Sequence, residues 1–138
     1  MRLLVLDGSR VLPSLIRRLA PPEVEVVSVP AFEEAVASIA DDPPDAAIVN
    51  LTPCGLPWRE LKAACQRHEP PIPVLFESCV FRSPDEAGLG RLDASAAFLT
   101  KPYPLSQLRR EIDRLLLAAA GDEQPPFRSA AARPAAKS

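Results

Sequence analysis

Cysteine, histidine, glycine and aromatic side chains are all scarce in this chain. Its 138 residues include 3 cysteines, 1 histidine and 5 glycines, and Phe, Trp and Tyr together make up 5%. Cys54, Cys65 and Cys79 are an odd set without metal-ligand spacing, and the lone histidine is His68. Neither a zinc site nor a Cys/His nucleophile pair is therefore expected. Charge of one sign is also lacking. Lys+Arg at 16 against Asp+Glu at 18 gives 16 − 18 = −2, with no long run of either sign before the carboxyl end. Nothing electrostatic points to nucleic acid or a membrane surface. No leader-like stretch and no long apolar span is evident, so a reducing cytoplasm is the expected location.

What the chain has in quantity is proline, 17 residues of it, where about 5% is usual. Pro21-Pro22, Pro43-Pro44 and Pro70-Pro71 each precede an apolar run. A fixed φ and a missing N–H stop a helix there and lead into an extended segment. The apolar runs 3–6, 24–29, 46–49, 72–76 and 96–99 are too short for helices, and β-branched residues abound in the second, so all five read as strands.

Between them, apolar residues recur at helical spacing. Val11, Leu12, Leu15, Ile16 and Leu19 make a first helix beginning near Ser9, with Pro13 in its first turn. Phe32, Ala35, Val36 and Ile39 make a second, with Glu33 and Glu34 favourably placed at its amino end. Trp58, Leu61, Cys65 and His68 share a face of a third that Pro57 can start. Residues 84–92, interrupted by Gly88 and Gly90, predict a weak fourth. Leu105, Leu108, Ile112, Leu115, Leu116 and Ala119 make a strong fifth. Strand and helix alternate five times with short connections, which implies a doubly wound, flavodoxin-like α/β fold around a parallel sheet. A chain 47% hydrophobic supports one core, so we expect one domain over 1–119 and a disordered tail or linker over 120–138.

In such sheets ligands bind at the carboxyl ends of the strands. The polar residues there include Asp7, Asn50, Ser78 and Lys101, following the first, third, fourth and fifth strands. Asn50 emerges where the apolar run 46–49 ends, just before the break made by Pro53 and Gly55. An acid, an amide, a hydroxyl and an ammonium are thus expected around one cleft.

Over roughly residues 1–119, the sequence resembles the receiver domain of bacterial two-component response regulators, the CheY-like fold with strand order 2-1-3-4-5. The stretches that carry the resemblance are Leu3-Leu4-Val5-Leu6-Asp7-Gly8, Val49-Asn50-Leu51, Phe76-Glu77-Ser78 and Lys101-Pro102-Tyr103. The resemblance implies a first strand ending in an acidic pair, a phosphoacceptor Asp after the third, a Ser or Thr after the fourth, and a Lys-Pro-aromatic signature after the fifth. By that implication Asp7 is one acid of the pair, Ser78 the switch hydroxyl, Lys101 the phosphate-contacting ammonium, and Phe98 the aromatic switch. Asn50 stands where the phosphoacceptor would be and Gly8 where the second acid would be. An amide is a poor nucleophile and a weaker ligand for a hard cation, so no cofactor is expected and Mg²⁺ binding by Asp7 alone is weakly supported.

Plainer readings of the same residues also stand. Asp7 and Lys101 can pair as ions, Asn50 can bond neighbouring loops, Ser78 can cap its own turn, and Phe98 can be static core. Glu77, polar inside an apolar strand, has no assigned role. The reading adopted is a phosphorylation-independent pseudo-receiver, not an enzyme, which docks a protein partner or a second copy through its helix-four, strand-five, helix-five face. The alternative is a phosphorylatable receiver with a non-standard acceptor, Ser78 or Asp7. A flavodoxin-like cofactor carrier ranks below both, because only Asp7-Gly8-Ser9-Arg10 is available to cradle a phosphate. Whether the chain stands alone or is part of a longer regulator is open.

Overall fold

Proline pairs and polar breaks cut the chain into short pieces, and a computed structural model describing residues 1–51 and 57–121 shows what they become. In order they are β1 (Arg2–Leu6), α1 (Val11–Leu19), β2 (Glu25–Val29), α2 (Phe32–Asp41), β3 (Ala46–Asn50), α3 (Trp58–Arg67), β4 (Val74–Ser78), β5 (Ala96–Thr100) and α4 (Leu105–Ala119). Expected strand-breakers Pro53 and Gly55, together with Cys54 and residues 122–138 of the expected tail, lie outside the described residues.

All strand pairs are parallel, in the order β2-β1-β3-β4-β5. This is the doubly wound arrangement expected from the alternation of strand and helix. Because successive side chains of a strand point to opposite faces, each central strand feeds two cores. Leu4, Leu6, Ala47, Val49, Val74 and Phe76 pack with Ala35 and Ile39 of α2 and with Trp58, Leu61 and Cys65 of α3. Leu3, Val5, Ala46, Ile48 and Leu75 pack with Leu12 and Ile16 of α1 and with Leu108, Ile112, Leu115 and Leu116 of α4. Burial on both faces explains why β1, β3 and β4 read as continuous apolar runs, whereas β2 lies at the sheet edge with Glu25 and Ser28 exposed.

Helix starts follow the sequence closely. Pro13 is the third residue of α1, where its N–H would have no partner within the helix, and its ring is buried. Glu33 and Glu34 occupy the first turn of α2. Trp58 opens α3 as core rather than as a ligand platform, 4% exposed, with its ring edge-on to Phe32 at 5.4 Å. His68 departs from expectation. It lies past the end of α3 in extended backbone, half-buried, with Nδ1 2.8 Å from the Pro70 carbonyl oxygen, so of the four residues expected on that face the helix carries Trp58, Leu61 and Cys65 to the core.

The larger departure is at residues 84–92, where no helix forms. One turn is begun by Ser83, whose Oγ accepts the Glu86 N–H at 3.2 Å, while Glu86 Oε1 accepts the Arg82 N–H at 2.6 Å. Gly88 and Gly90 then adopt φ of +77° and +74°, a region that costs other residues free energy and that ends the turn. At Gly90 the backbone also comes close to Arg59, whose Nη2 would lie 2.9 Å from an added Cβ. The segment is tied down instead by Leu89, which is fully buried, and by Lys62 of α3. Lys62 is 7% exposed, and its Nζ donates to the carbonyl oxygens of Leu89 at 2.6 Å and Arg91 at 2.8 Å. Four helices, not five, therefore cover the sheet among the described residues.

Candidate functional site

The parallel register brings β1, β3, β4 and β5 to a common carboxyl edge. Leu6 pairs with Val49, Asn50 with Glu77, and Ser78 with Thr100. The residues at these ends, Asp7, Asn50, Glu77, Ser78 and Lys101, are accordingly neighbours in space although they are far apart in sequence.

Asp7 is 8% exposed. Its Oδ1 accepts the Ser9 N–H at 3.1 Å, and its Oδ2 accepts the Ser9 hydroxyl at 3.3 Å. This is a side-chain-closed turn of the kind Asp favours. Across the edge, Asn50 Nδ2 donates to Asp7 Oδ1 at 3.2 Å. The other end of the same amide accepts from Lys101 Nζ, also at 3.2 Å. Asn50 thus stands between an acid and a base, donating to one and accepting from the other. A carboxylate in its place would confront Asp7 with a like charge.

Lys101 does not pair with Asp7, as one sequence reading had it. Its nearest carboxyl is that of Glu77, with Nζ 3.4 Å from Oε1, and Asn50 lies between it and Asp7. The backbone N–H of Lys101 donates to the Ser78 carbonyl at 2.8 Å, which fixes the start of the connection to α4. The following Lys101–Pro102 peptide is cis, Pro102 is exposed, and Tyr103 packs partly buried against the α1/α4 core. The Tyr103 hydroxyl donates to Glu77 Oε1 at 2.7 Å.

Glu77, unassigned from sequence, is therefore the hub of the site's inner half. It is 0% exposed. Both donors reach Oε1, while Oε2 is buried and has no partner among the described residues. Burial pushes its carboxyl above the usual carboxylate range, against the opposing pull of the Tyr103 hydroxyl and the Lys101 ammonium. Burial and the adjoining Glu77 push the Tyr103 phenol up as well. The sequence carried a signal for this, a carboxylate inside an apolar strand. Its partners became visible only once β4 and β5 were side by side.

Ser78 is fully buried. Its Oγ accepts the N–H groups of Val80 at 3.0 Å and Phe81 at 2.8 Å, which is the capped turn anticipated as the plainer reading. Phe98 lies opposite Phe76 in the β4–β5 ladder and packs, half-buried, against the α2/α3 core. The structure thus joins Asp7, Asn50, Lys101, Glu77 and Tyr103 in one chain of polar contacts, and leaves Ser78 and Phe98 beside it. Elsewhere, burial pushes the Cys65 thiol up to about 12, which removes it as a nucleophile near neutral pH. Among the described residues no cluster of three or more His, Cys, Asp or Glu side chains is placed to hold a metal ion. No helix among them is long and apolar enough to cross a membrane.

No family model matches the sequence, and no curated protein is significantly similar to it. Solved structures are similar in fold. A signal receiver domain from Vibrio parahaemolyticus is 18% identical, with 86% of this chain and 92% of that chain covered and a TM-score of 0.67. The chemotaxis response regulator CheY4 of Vibrio cholerae is 19% identical, covering 83% of this chain and 97% of its own, with a TM-score of 0.65. A signal receiver domain from Mycobacterium tuberculosis is 24% identical, covering 87% and 96%, with a TM-score of 0.64. The chain has the receiver-domain fold of response regulators.

Proposed function

We propose that this chain is a response-regulator receiver module of two-component signalling that works without phosphorylation at its centre, and that it is a protein-interaction module rather than an enzyme. The observation that carries this reading is the orientation of Asn50. Its N–H₂ faces the carboxylate of Asp7 and its carbonyl faces the ammonium of Lys101. The position where a carboxylate nucleophile would be needed is thus filled by a neutral group suited to both neighbours.

Mg²⁺ does not fit this donor set. A hard dication needs several oxygen ligands, whereas Asn50 turns its nitrogen toward Asp7 and Gly8 contributes no side chain. The alternative acceptors are poorly disposed too, since the Ser78 oxygen already accepts two backbone N–H groups and Asp7 closes its own turn. Incubation with acetyl phosphate and Mg²⁺ should leave the intact mass unchanged. A gain of one phosphoryl group on a residue of the domain would overturn the reading, and mapping that residue would identify the substitute acceptor.

The partner in this reading is a protein or a second copy of the chain, in the cytoplasm, met through the surface built by residues 79–95, β5 and α4. That surface differs from the helix-bounded one the sequence suggested, because turns replace the expected fourth helix. Val80 and Leu105, which flank the carboxyl edge on either side, are 46% and 55% exposed and supply apolar contact area.

A further inference from the structure

The inner half of the polar chain has a chemical asymmetry that phosphorylation, or its absence, does not account for. Glu77 receives two donors on Oε1 and none on Oε2 among the described residues, although both oxygens are shut away from water. A carboxylate spreads its charge over two equivalent oxygens and is costly to bury with one of them bare. A carboxylic acid is different. Its carbonyl oxygen has two lone pairs and suits two donors, and because the acid carries no charge, an unpaired O–H at Oε2 costs less to bury than a bare carboxylate oxygen. The contacts match an acid with Oε1 as carbonyl and Oε2 as hydroxyl.

Surroundings on every side agree. By strand alternation Glu77 shares the sheet face of Leu75, which packs toward α1 and α4. The buried side chains those helices supply there are apolar, Leu12 and Ile16 from one and Leu108 and Ile112 from the other. The groups that face the carboxyl from the sheet edge are Lys101 and Tyr103 at the end of β5, with Asp7 repelling negative charge from the end of β1. Lys101 has a second place to rest, the carbonyl of Asn50. Its side chain is 31% exposed, so it has room to move.

We propose that Glu77 is protonated in the resting fold and that its ionisation draws Lys101 and Tyr103 onto the carboxylate, making the connection from β5 to α4 a proton-operated latch. The O–H bond at Oε2 breaks, the electron pair stays on the carboxylate, and the proton passes to solvent. With the proton on, Lys101 is shared with Asn50 and its charge faces the cleft. With the proton off, that charge is neutralised internally and Tyr103 is held more tightly, so the entry to α4 at Leu105 shifts with pH. The latch goes beyond the phosphorylation-independent reading and does not depend on it, because it operates whether or not a phosphoryl group can be accepted.

The test is NMR of the full chain titrated from about pH 4 to about pH 9, following the Glu77 carboxyl carbon, the Lys101 to Leu105 amides and the Asn50 side-chain amide. The expected result is one shared transition with its midpoint above the ordinary carboxylate range. Glu77→Gln should remove the transition and leave the loop signals at their low-pH positions. Tyr103→Phe, which leaves the carboxyl in place but removes a donor that favours its ionised form, should move the midpoint to higher pH. A Glu77 carboxyl that titrates in the ordinary range, loop amides that do not follow it, a transition that survives Glu77→Gln, or a midpoint unmoved by Tyr103→Phe would each overturn the proposal.

Discussion

At the scale of single residues, the site is decided by two substitutions of kind rather than of size. An amide at position 50 has almost the shape of a carboxylate, but it carries a donor where a carboxylate would carry charge. A carboxyl at position 77 stands where an apolar strand residue would pack. The second leaves a mark on stability. The folded chain raises the Glu77 pKa above its ordinary 4.5, with burial the largest cause. The associated stability is present in full below 4.5 and is lost as pH rises through the folded value, because the unfolded chain then ionises more readily. Glu77→Gln should abolish that decline. Denaturation across the same pH range should show the variant and the parent converging at low pH, and the variant the more stable by neutral pH. The gap should be about 1.4 kcal/mol for every pH unit that separates the folded midpoint from the unfolded one. Asp7, Asn50 and Lys101 were legible from sequence because each is a polar residue at the carboxyl end of an apolar run. Their pairing was not, since it turns on which end of an amide faces which neighbour.

Among the elements, the connection between β4 and β5 departs furthest from expectation. Local sequence was ambiguous there. Two glycines argued against a helix, while the apolar residues around them still needed burial. What settled the matter was a side chain elsewhere, Lys62 of α3, whose spacing from Trp58, Leu61 and Cys65 puts it on the buried face although a lysine is ordinarily solvated. It is buried only because residues 89–91 fold across it and offer two carbonyl oxygens. Charge-assisted bonds of this kind are worth more than neutral ones, roughly 1.5–3 kcal/mol each. Lys62→Met keeps most of the stem's packing but leaves both carbonyls without their donor. It should lower the unfolding free energy by roughly 2–3 kcal/mol, and hydrogen exchange should quicken first in residues 89–91. The surface ion pair of Arg2 with Asp42, at 3.2 Å with an aspartate side chain 79% exposed, should contribute well under about 1 kcal/mol by comparison. The central strands β1 and β3, in contrast, were plain in the sequence, because burial on both faces leaves few polar residues to blur the runs, whereas β4, expected over 72–76, runs from Val74 to Ser78 and takes in Glu77.

For the whole molecule, the polar chain belongs to no single element, for β1, β3, β4 and β5 each give it a member. That is why it could be guessed only after the topology had been inferred. It also means that carboxylates can be introduced at this edge without disturbing the fold. Gly8 lacks a positive φ and an added Cβ would meet nothing closer than the Pro30 carbonyl oxygen at 3.8 Å, so a side chain fits there. The double variant Gly8→Asp with Asn50→Asp should gain Mg²⁺ affinity and accept a phosphoryl group from acetyl phosphate, read by intact mass, whereas Asn50→Asp alone should be the less stable protein without metal, because two carboxylates then face each other. The division of the core into two halves has a consequence for synthesis. One half, under α2 and α3, has its helices on both sides of β3 in the chain. The other waits for α4, the last described element, and its 15 residues. Until the ribosome has released that helix, Leu3, Val5, Ile48 and Leu75 have only α1 to shield them. A nascent chain stalled short of Leu105 would therefore present a half-bare sheet, the kind of surface that holding chaperones bind.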